Sequence, residues 1–294
     1  MFFITTFICI IIFSGCSSKP LVLKKPPEDI KEPQTMTADG LKTLLSQHNW
    51  NAVQVAKSMG PGSSSTLKPY LDHEDELIRL LAVDCIVAAD GSEAISLLIY
   101  ALEDTNEQVR INSVNGLHKH LPSGQELKLL EIWDKTRDIY LKQQIPIIIG
   151  RLSNPDMIPH LNQRLARNQV EDNQEIHDGI IVGLAKLGDT QAQNRYGKLL
   201  SEARGERIKD LIDLEQFLDE PWVISLLLPV LDRKEKAIDL SSHRTTLIRR
   251  GCDLAIDEVI RISGHPFSFK LSSSSQYSEA QIAEVIKFVE KFPK

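Results

Sequence analysis

The sequence predicts an all-α fold, a superhelical α/α solenoid of six or seven helical pairs. Three observations support this prediction: a residue pattern that recurs at a fixed interval, apolar residues spaced three and four apart within it, and short polar turns between the apolar segments. Stacked helical repeats bury their apolar faces mainly against neighbouring repeats. A regular interval of this kind therefore indicates an array rather than a single globular core.

The first fifteen residues, MFFITTFICIIIFSG, contain no charged side chain and directly precede Cys16. Ser14 and Gly15 followed by Cys16 resemble the lipobox of bacterial lipoproteins, in which the chain is cleaved before the cysteine and the thiol carries a lipid. Phe13 departs from that family pattern, which usually has leucine there. The resemblance implies a signal peptide at residues 1–15 and lipidation of Cys16. The alternative is a short uncleaved anchor, although the run is well below the roughly 20 apolar residues that a spanning helix needs.

Residues 16–37 combine prolines with charges of both signs. Pro20, Pro26, Pro27 and Pro33 all fall in this stretch. Proline-rich chains stay extended, at about 3 Å per residue, and they cannot build a core. The composition predicts a tether that holds a folded domain away from its anchor. A disordered tail without any tethering role has the same composition.

The clearest repeat unit begins near residue 67. Leu71–Arg79 aligns with Leu102–Arg110 at an offset of 31 residues. Each copy reads as helix, tight polar turn and second helix. In the first copy the second helix has one apolar face, and Asp75 or Asp72 is placed to cap its start. Asp90 and the glycine that follows it are suited to end the helix.

The repeated pattern resembles the HEAT repeats of bacterial proteins of the phycobilisome-lyase type. That signature has an aspartate in the turn, then Val-Arg, an alanine three positions on and a leucine four further. The matching segments are Ile78-Arg79-Ala82-Ile86, Val109-Arg110-Ser113-Leu117, Leu141-Lys142-Ile145-Ile149, Ile176-His177-Ile180-Leu184 and Ile248-Arg249-Cys252-Ile256. With a degenerate first unit at 38–60 and a weaker one at 190–217, they predict a solenoid over residues 38–264.

Departures from the repeat predict local features. Pro146 falls inside a second helix and should kink it. Polar insertions, NQVEDNQE before His177 and DRKEKAIDLSSHRTT before Leu247, are expected in the turns. Residues 265–294 are predicted to form a C-terminal capping segment, with a final helix that Ser278 caps.

Composition limits the classes of partner. The formal net charge of the chain is −6, whereas nucleic-acid binding needs clustered Lys and Arg, so no nucleic-acid partner is expected. Cys85 and Cys252 lie in apolar helical patterns, which predicts two buried free thiols. A disulfide between them is not expected, because stacked repeats touch only their neighbours.

The paired Arg79 and Arg110 have a structural interpretation. The resemblance to HEAT repeats implies that they bond to the turn aspartates of neighbouring repeats, Asp72 and Asp104, and form a ladder.

The sequence indicates no catalytic residue, metal ligand or cofactor. His118 and His120 lie roughly 200° apart around a helix and cannot share a metal. The chain also lacks a phosphate-binding loop and a nucleophile elbow.

The predicted function is that of a lipid-anchored cell-envelope scaffold that binds another protein. In a Gram-negative host, Ser17 resembles the residue that directs lipoproteins to the outer membrane, facing the periplasm. The predicted partner-binding residues lie on the second helices and face away from the core of the array: Asp84, Asn115 and Lys119. An envelope inhibitor or immunity protein that binds one target is the first alternative. An enzyme of the lyase or glycosylase type with a HEAT fold is the second.

Overall fold

The computed structural model describes residues 37–171, 173–239, 241, 247–272 and 275–292, without the side chains of 168–171. All of them belong to one compact unit. The α-helices, in chain order, are α1 (Ala38–Ser46), α2 (Asn51–Met59), α3 (Ser64–Leu67), α4 (Glu76–Ala89), α5 (Ser92–Ala101), α6 (Glu107–Lys119), α7 (Glu126–Lys135), α8 (Ile139–Arg151), α9 (Ile158–Glu171), α10 (Gln174–Lys186), α11 (Thr190–Glu202), α12 (Glu206–Leu218), α13 (Trp222–Leu226), α14 (Gly251–Ser263) and α15 (Glu279–Val289). Short 3₁₀-helices occupy Gly60–Ser63, Lys68–Asp72 and Pro155–Met157.

These helices form an all-α solenoid, as predicted. In the described residues the helices make seven successive pairs. In the second pair, the first helix is broken into α3 and two 3₁₀ segments. The second helices of the pairs contact one another in chain order, from α2 through α4, α6, α8, α10 and α12 to α14. Each repeat therefore buries its apolar face mainly against its neighbours, as an array requires.

The caps at the helix ends follow from local sequence. Asp75 caps α4, where its carboxylate accepts a hydrogen bond of 2.9 Å from the backbone N–H of Leu77. Asp90 and Gly91 end that helix with φ values of 61° and 103°, a backbone region that glycine and aspartate tolerate better than most residues. Asn106 and Asp138 cap α6 and α8 in the same way as Asp75 caps α4.

Pro146 lies inside α8, where it removes one helical hydrogen bond. Proline has no backbone N–H, so the carbonyl of Lys142, four residues earlier, loses its usual donor. The indole Nε1–H of Trp133 donates to that carbonyl at 2.8 Å instead. A tryptophan from α7 thus satisfies the acceptor that the proline leaves open, which explains how a buried helix tolerates it.

The centres of α8 and α10 pack with their backbones in close contact. A side chain at Gly183 would collide with the backbone carbonyl of Pro146, and one at Gly179 with that of Gln143. Gly150 faces Gly183 from the other helix. All three glycines have ordinary helical conformations, so their backbone geometry does not require glycine. The close approach of the two helices requires it.

The last pair differs from the prediction. Residues 248–250 were expected to start a helix, but Ile248–Arg250 forms strand β2, which pairs antiparallel with strand β1 (Lys236–Asp239). Helix α14 begins only at Gly251. Consequently Arg249 takes no part in a ladder: its buried guanidinium donates to Asp257 at 2.7 Å. The polar insertion at 232–246 was expected in a turn, but it contributes strand β1, whose pairing with β2 precedes the helix.

The C-terminal segment closes against α14. Ser278 caps α15 as predicted, with a reciprocal hydrogen bond from its own backbone N–H to Gln281. The buried Tyr277 donates through its hydroxyl to Asp257, and its backbone N–H donates to Asp253. These contacts fix the segment after Gly264 to the last helix of the array.

Both cysteines of the described residues are buried and free, which confirms the prediction of two buried thiols. Burial raises the pKa of Cys252 to about 11 and that of Cys85 further, so both stay protonated at neutral pH. None of the helices described is both long enough and apolar enough to cross a bilayer.

Candidate functional site

An arginine ladder connects the turns of the second, third and fourth pairs. Arg79 forms a bidentate ion pair with Asp104, through Nε at 2.8 Å and Nη2 at 3.0 Å. Its Nη1 donates to the carbonyl of His73 in its own turn. Arg110 repeats this arrangement, with Nε 2.6 Å from Asp138. Each guanidinium therefore ties its own turn to the next one.

The predicted ladder exists, but one of its pairings was wrong. Asp104 is a rung, whereas Asp72 accepts its hydrogen bond from Tyr100 and not from an arginine. Side chains in the first turn of a helix lean toward the helix N-terminus, so Nη1 reaches the carbonyls of the preceding turn. The rest of the guanidinium then faces the following repeat, and Arg110 pairs with Asp138.

Two clefts lie along this ladder at equivalent positions in consecutive repeats. The first cleft, of about 290 Å³, lies between the second and third turns and is lined by Asp72, Arg79, Tyr100, Glu103 and Asp104, among others. The second cleft, of about 410 Å³, lies between the third and fourth turns and is lined by Glu103, Asp104, Arg110, Lys135 and Asp138, among others. Because Glu103 and Asp104 line both, the two clefts are adjacent along one edge of the solenoid.

The first cleft combines an accessible aromatic ring with carboxylates. Tyr100 is 54% exposed, although tyrosine in a helix normally covers part of a core. Its hydroxyl donates to Asp72 at 2.5 Å, and this hydrogen bond raises the pKa of Tyr100. Asp72 and Glu103 are both exposed, while Arg79 and Asp104 neutralise one another at the floor. The unpaired charge of the first cleft is therefore negative.

The three predicted partner-binding residues lie on adjacent helices and differ in accessibility. Asn115 and Lys119 are exposed one turn apart on α6, and the Lys119 ammonium is 3.3 Å from the carbonyl of Val87 on α4. Asp84 is only partly accessible, because its carboxylate accepts a hydrogen bond of 2.7 Å from Asn112. Burial raises the pKa of Asp84 to about 6, against the lowering effect of that bond. Asp84 thus has a structural role in the α4–α6 contact. Asn115 and Lys119 are the two predicted residues that stay exposed.

Beyond α6 the inner row of second helices is closed. The closure cluster consists of His118 on α6, Arg151 on α8 and Phe217 on α12. The rings of His118 and Phe217 stack at a centroid distance of 4.3 Å, and Arg151 donates to the His118 carbonyl at 2.7 Å. Every residue from Gln144 to Gly150, and from Asp178 to Ala185, is buried. The centres of α8 and α10 are therefore closed to a partner.

Two buried carboxylic acids of the described residues, Asp178 and Glu215, lack a well-formed hydrogen bond, and Asp178 is compensated by an ion pair with Arg207. Glu215 on α12 is 0% exposed, and the hydroxyl of Tyr196 lies beside its carboxyl group. Burial raises its pKa well above the usual range, and the negative charge of Glu258 adds to the effect. Burial therefore favours the protonated form of Glu215 in the folded protein. It has no access to solvent, so it does not offer a reactive group to a substrate.

Within the ranges that the structure describes, no group of three or more His, Cys, Asp or Glu side chains is arranged to hold a metal ion. His118 and His120 face different partners, Gln144 in one case and the Val87 carbonyl in the other. Cys16, the predicted lipidation site, lies outside the described residues, as do residues 1–36 as a whole.

Comparison with protein-family models finds no match for this chain, and comparison with curated proteins finds no match either.

Several residues of this edge were not indicated by sequence reasoning. Tyr100 lies at the end of a helix in an apolar run, so its spacing from the other apolar residues suggested a core position. No neighbouring residue in the sequence indicates that its ring is exposed. Asp138 follows Lys135-Thr136-Arg137, and only the offset of about one repeat from Asp104 could have identified it as the next rung.

Proposed function

We propose that this protein is a lipid-anchored cell-envelope scaffold whose helical solenoid, of the HEAT-like type, binds another protein. The single observation that carries the binding role is the pair of adjacent clefts along the ladder edge. Protein interfaces are enriched in accessible aromatic side chains supported by polar groups, and this edge presents Tyr100 over a set of fixed turns. A stiff edge loses little conformational entropy when a partner docks.

Exposed apolar side chains add to the support for a protein partner. Leu77 at the start of α4 is 41% exposed, and Ile139 at the start of α8 is 44% exposed. Both lie in the first turn of a second helix, at the ends of the same ladder. Single exposed apolar residues are common on proteins. Their recurrence at this edge, beside two clefts, is what favours docking.

The anchor rests on the sequence alone. Ser14-Gly15-Cys16 after an apolar segment supports lipidation, and the prolines of residues 16–37 support an extended tether between lipid and solenoid. The experiment is metabolic labelling with a radioactive fatty acid, comparing the native protein with Cys16→Ala. We expect label in the native protein only. Equal labelling of the two would contradict the lipid anchor.

Binding is tested by capture from envelope extracts with the detergent-solubilised full chain. We expect one partner at a stoichiometric ratio that depends on the native fold and is not recovered by heat-denatured protein. The double variant Asn115→Arg with Lys119→Glu tests whether the partner binds the inner face of α6 or the ladder edge. Capture that survives it places the interface away from the inner face of α6. Repeated absence of any stoichiometric partner across extraction conditions would contradict the scaffold role.

A further inference from the structure

We propose that the first cleft binds a single lysine or arginine side chain presented by the partner protein. This inference rests on the proposed function, since it specifies the chemistry of the same interface. The cleft has the dimensions for one extended side chain, about 290 Å³ open to solvent at the turn edge. Its walls supply two kinds of attraction for a cation, a ring and carboxylates.

The ring is that of Tyr100. A cation over the face of an accessible tyrosine is attracted by the ring quadrupole, and the attraction operates at exposed sites as well. The hydrogen bond from the Tyr100 hydroxyl to Asp72 links the ring to a carboxylate of the same cleft. A bound ammonium or guanidinium can therefore contact the ring and lie near that carboxylate without any rearrangement of the ring.

The carboxylates are Asp72 and Glu103, which are exposed on opposite turns of the cleft. The arginines of the two clefts are already committed, since Arg79 pairs with Asp104 and Arg110 pairs with Asp138, and the exposed Lys135 lines the second cleft but not the first. The arginine at the floor of the cleft therefore does not neutralise Asp72 and Glu103, and their negative charge is available to a cationic side chain of a partner. The surrounding turns reinforce this, because segments 72–79 and 103–110 hold seven carboxylates and two arginines. This local excess of negative charge, in a chain of net charge −6, steers basic segments toward the cleft.

A carboxylate ligand does not fit the first cleft, because the only guanidinium in it makes a bidentate pair with Asp104 and further hydrogen bonds to backbone carbonyls. The second cleft is a poorer cation site, since the exposed Lys135 lines it. The preference for a basic side chain is therefore specific to the first of the two equivalent clefts.

The test is zero-length coupling of a lysine peptide to the full-length protein. N-acetylated tetralysine carrying fluorescein is incubated with the protein and a carbodiimide, which joins an amine to a carboxylate only when the two are in contact. Modified peptides are then mapped by mass spectrometry. We expect coupling at Asp72 or Glu103 to exceed coupling at Glu93, an exposed carboxylate on α5. Coupling spread evenly over the surface carboxylates would overturn the inference.

Variants separate the ring from the charge. We expect Tyr100→Ala to reduce binding of the peptide, measured by fluorescence anisotropy, about threefold. Tyr100→Phe keeps the ring and should bind nearly as the native protein does. Asp72→Asn combined with Glu103→Gln should weaken binding about tenfold, whereas Glu93→Gln should leave it unchanged. Equal affinities of the native protein and Tyr100→Ala would contradict a defined cleft and indicate diffuse charge attraction only.

The same variants distinguish this inference from the proposed function. A natural partner that is captured equally by native protein and by Asp72→Asn with Glu103→Gln leaves the scaffold role in place and overturns the cation site. Peptide coupling at the cleft without any captured partner supports the site and contradicts the scaffold role.

Discussion

Glu215 shows how one residue sets the pH response of the array. A fully buried carboxyl group such as that of Glu215 favours its neutral form, because the charged form loses its hydration. The folded state therefore keeps a proton that the unfolded chain releases above a pKa of about 4.3. The free energy of unfolding is therefore not reduced by Glu215 below that pH. It falls as the pH rises toward the raised pKa of the folded state.

We predict that Glu215→Gln raises the melting temperature at pH 8 by about 3 °C or more, because glutamine has the same shape and never ionises. The difference between variant and native protein should shrink toward pH 4. Thermal melts from pH 4 to pH 8 test this, with Glu202→Gln as the exposed control. A native protein that equals or exceeds the variant at pH 8 would show that Glu215 is charged and compensated.

Trp133 is a second residue whose role comes from a neighbouring element. Its Nε1–H replaces the donor that Pro146 removes from α8. We predict that Trp133→Phe lowers the free energy of unfolding by about 1–3 kcal/mol, because the Lys142 carbonyl is left without a donor. Replacing the proline restores a backbone N–H, so the same substitution in a Pro146→Ala background should cost less. Urea unfolding of the four proteins measures this coupling. Equal costs in both backgrounds would mean that the loss is only one of packing.

At the scale of elements, the contact of α8 with α10 differs from the rest of the row. Gly179 and Gly183 lie one turn apart on α10 and admit the backbone of α8. Helices that meet through small residues approach more closely than helices that meet through large side chains. The carbonyl of Pro146 lies directly against Gly183, so neither helix can take up an added methyl group by moving a side chain.

We predict that Gly183→Ala destabilises the protein by about 3 kcal/mol or more, since the backbones must separate to admit a methyl group. The higher helix propensity of alanine offsets only about 1 kcal/mol of this cost. Gly62→Ala is the matched control, because nothing lies within 4 Å of its added Cβ. Chemical denaturation of both variants is the measurement. Equal stability of the two would show that the α8–α10 contact relaxes freely.

At the scale of the whole molecule, the closure cluster decides which surface is left for partners. Stacking of His118 on Phe217 joins the third pair to the sixth, and it fills the inner side of α8 and α10. Burial lowers the pKa of His118 to about 4, and the charge of Arg151 adds to the lowering while the hydrogen bond with Gln144 opposes it. The neutral ring is therefore the form that holds the closed array.

The sign of the pH effect follows from that depressed pKa. The unfolded chain binds a proton at His118 below about pH 6.5, while the folded protein resists it until about pH 4. The contribution of His118 is full above pH 6.5 and is lost as the pH falls through that window. We predict that native protein loses about 1–2 kcal/mol more than His118→Gln between pH 7 and pH 5. Urea unfolding at both pH values tests this. Equal losses would show that His118 is accessible to protons in the folded state.

Local signals identified most of the fold. The 31-residue offset, the apolar spacing and the caps at Asp75, Asp90 and Ser278 predicted where helices begin, end and repeat, because these features depend on neighbours within a few residues. The pairing of β1 with β2 was missed, since β1 lies inside the polar insertion that was expected in a turn. The repeat pattern at Ile248–Arg250 suggested a helix, and tertiary pairing overrode it.

The sequence by itself determined the array and its buried thiols, because periodicity and spacing encode which side chains face the core. The arginine ladder was an expectation that the resemblance to HEAT repeats implied. The tertiary structure alone decided that Arg110 pairs with Asp138, that Tyr100 lines an open cleft, and that Asp84 is engaged by Asn112. The physical reason is common to all three. They depend on how far one repeat is rotated against the next, and that rotation depends on contacts such as Gly116 of α6 against Val87 of α4, which join residues distant in the chain.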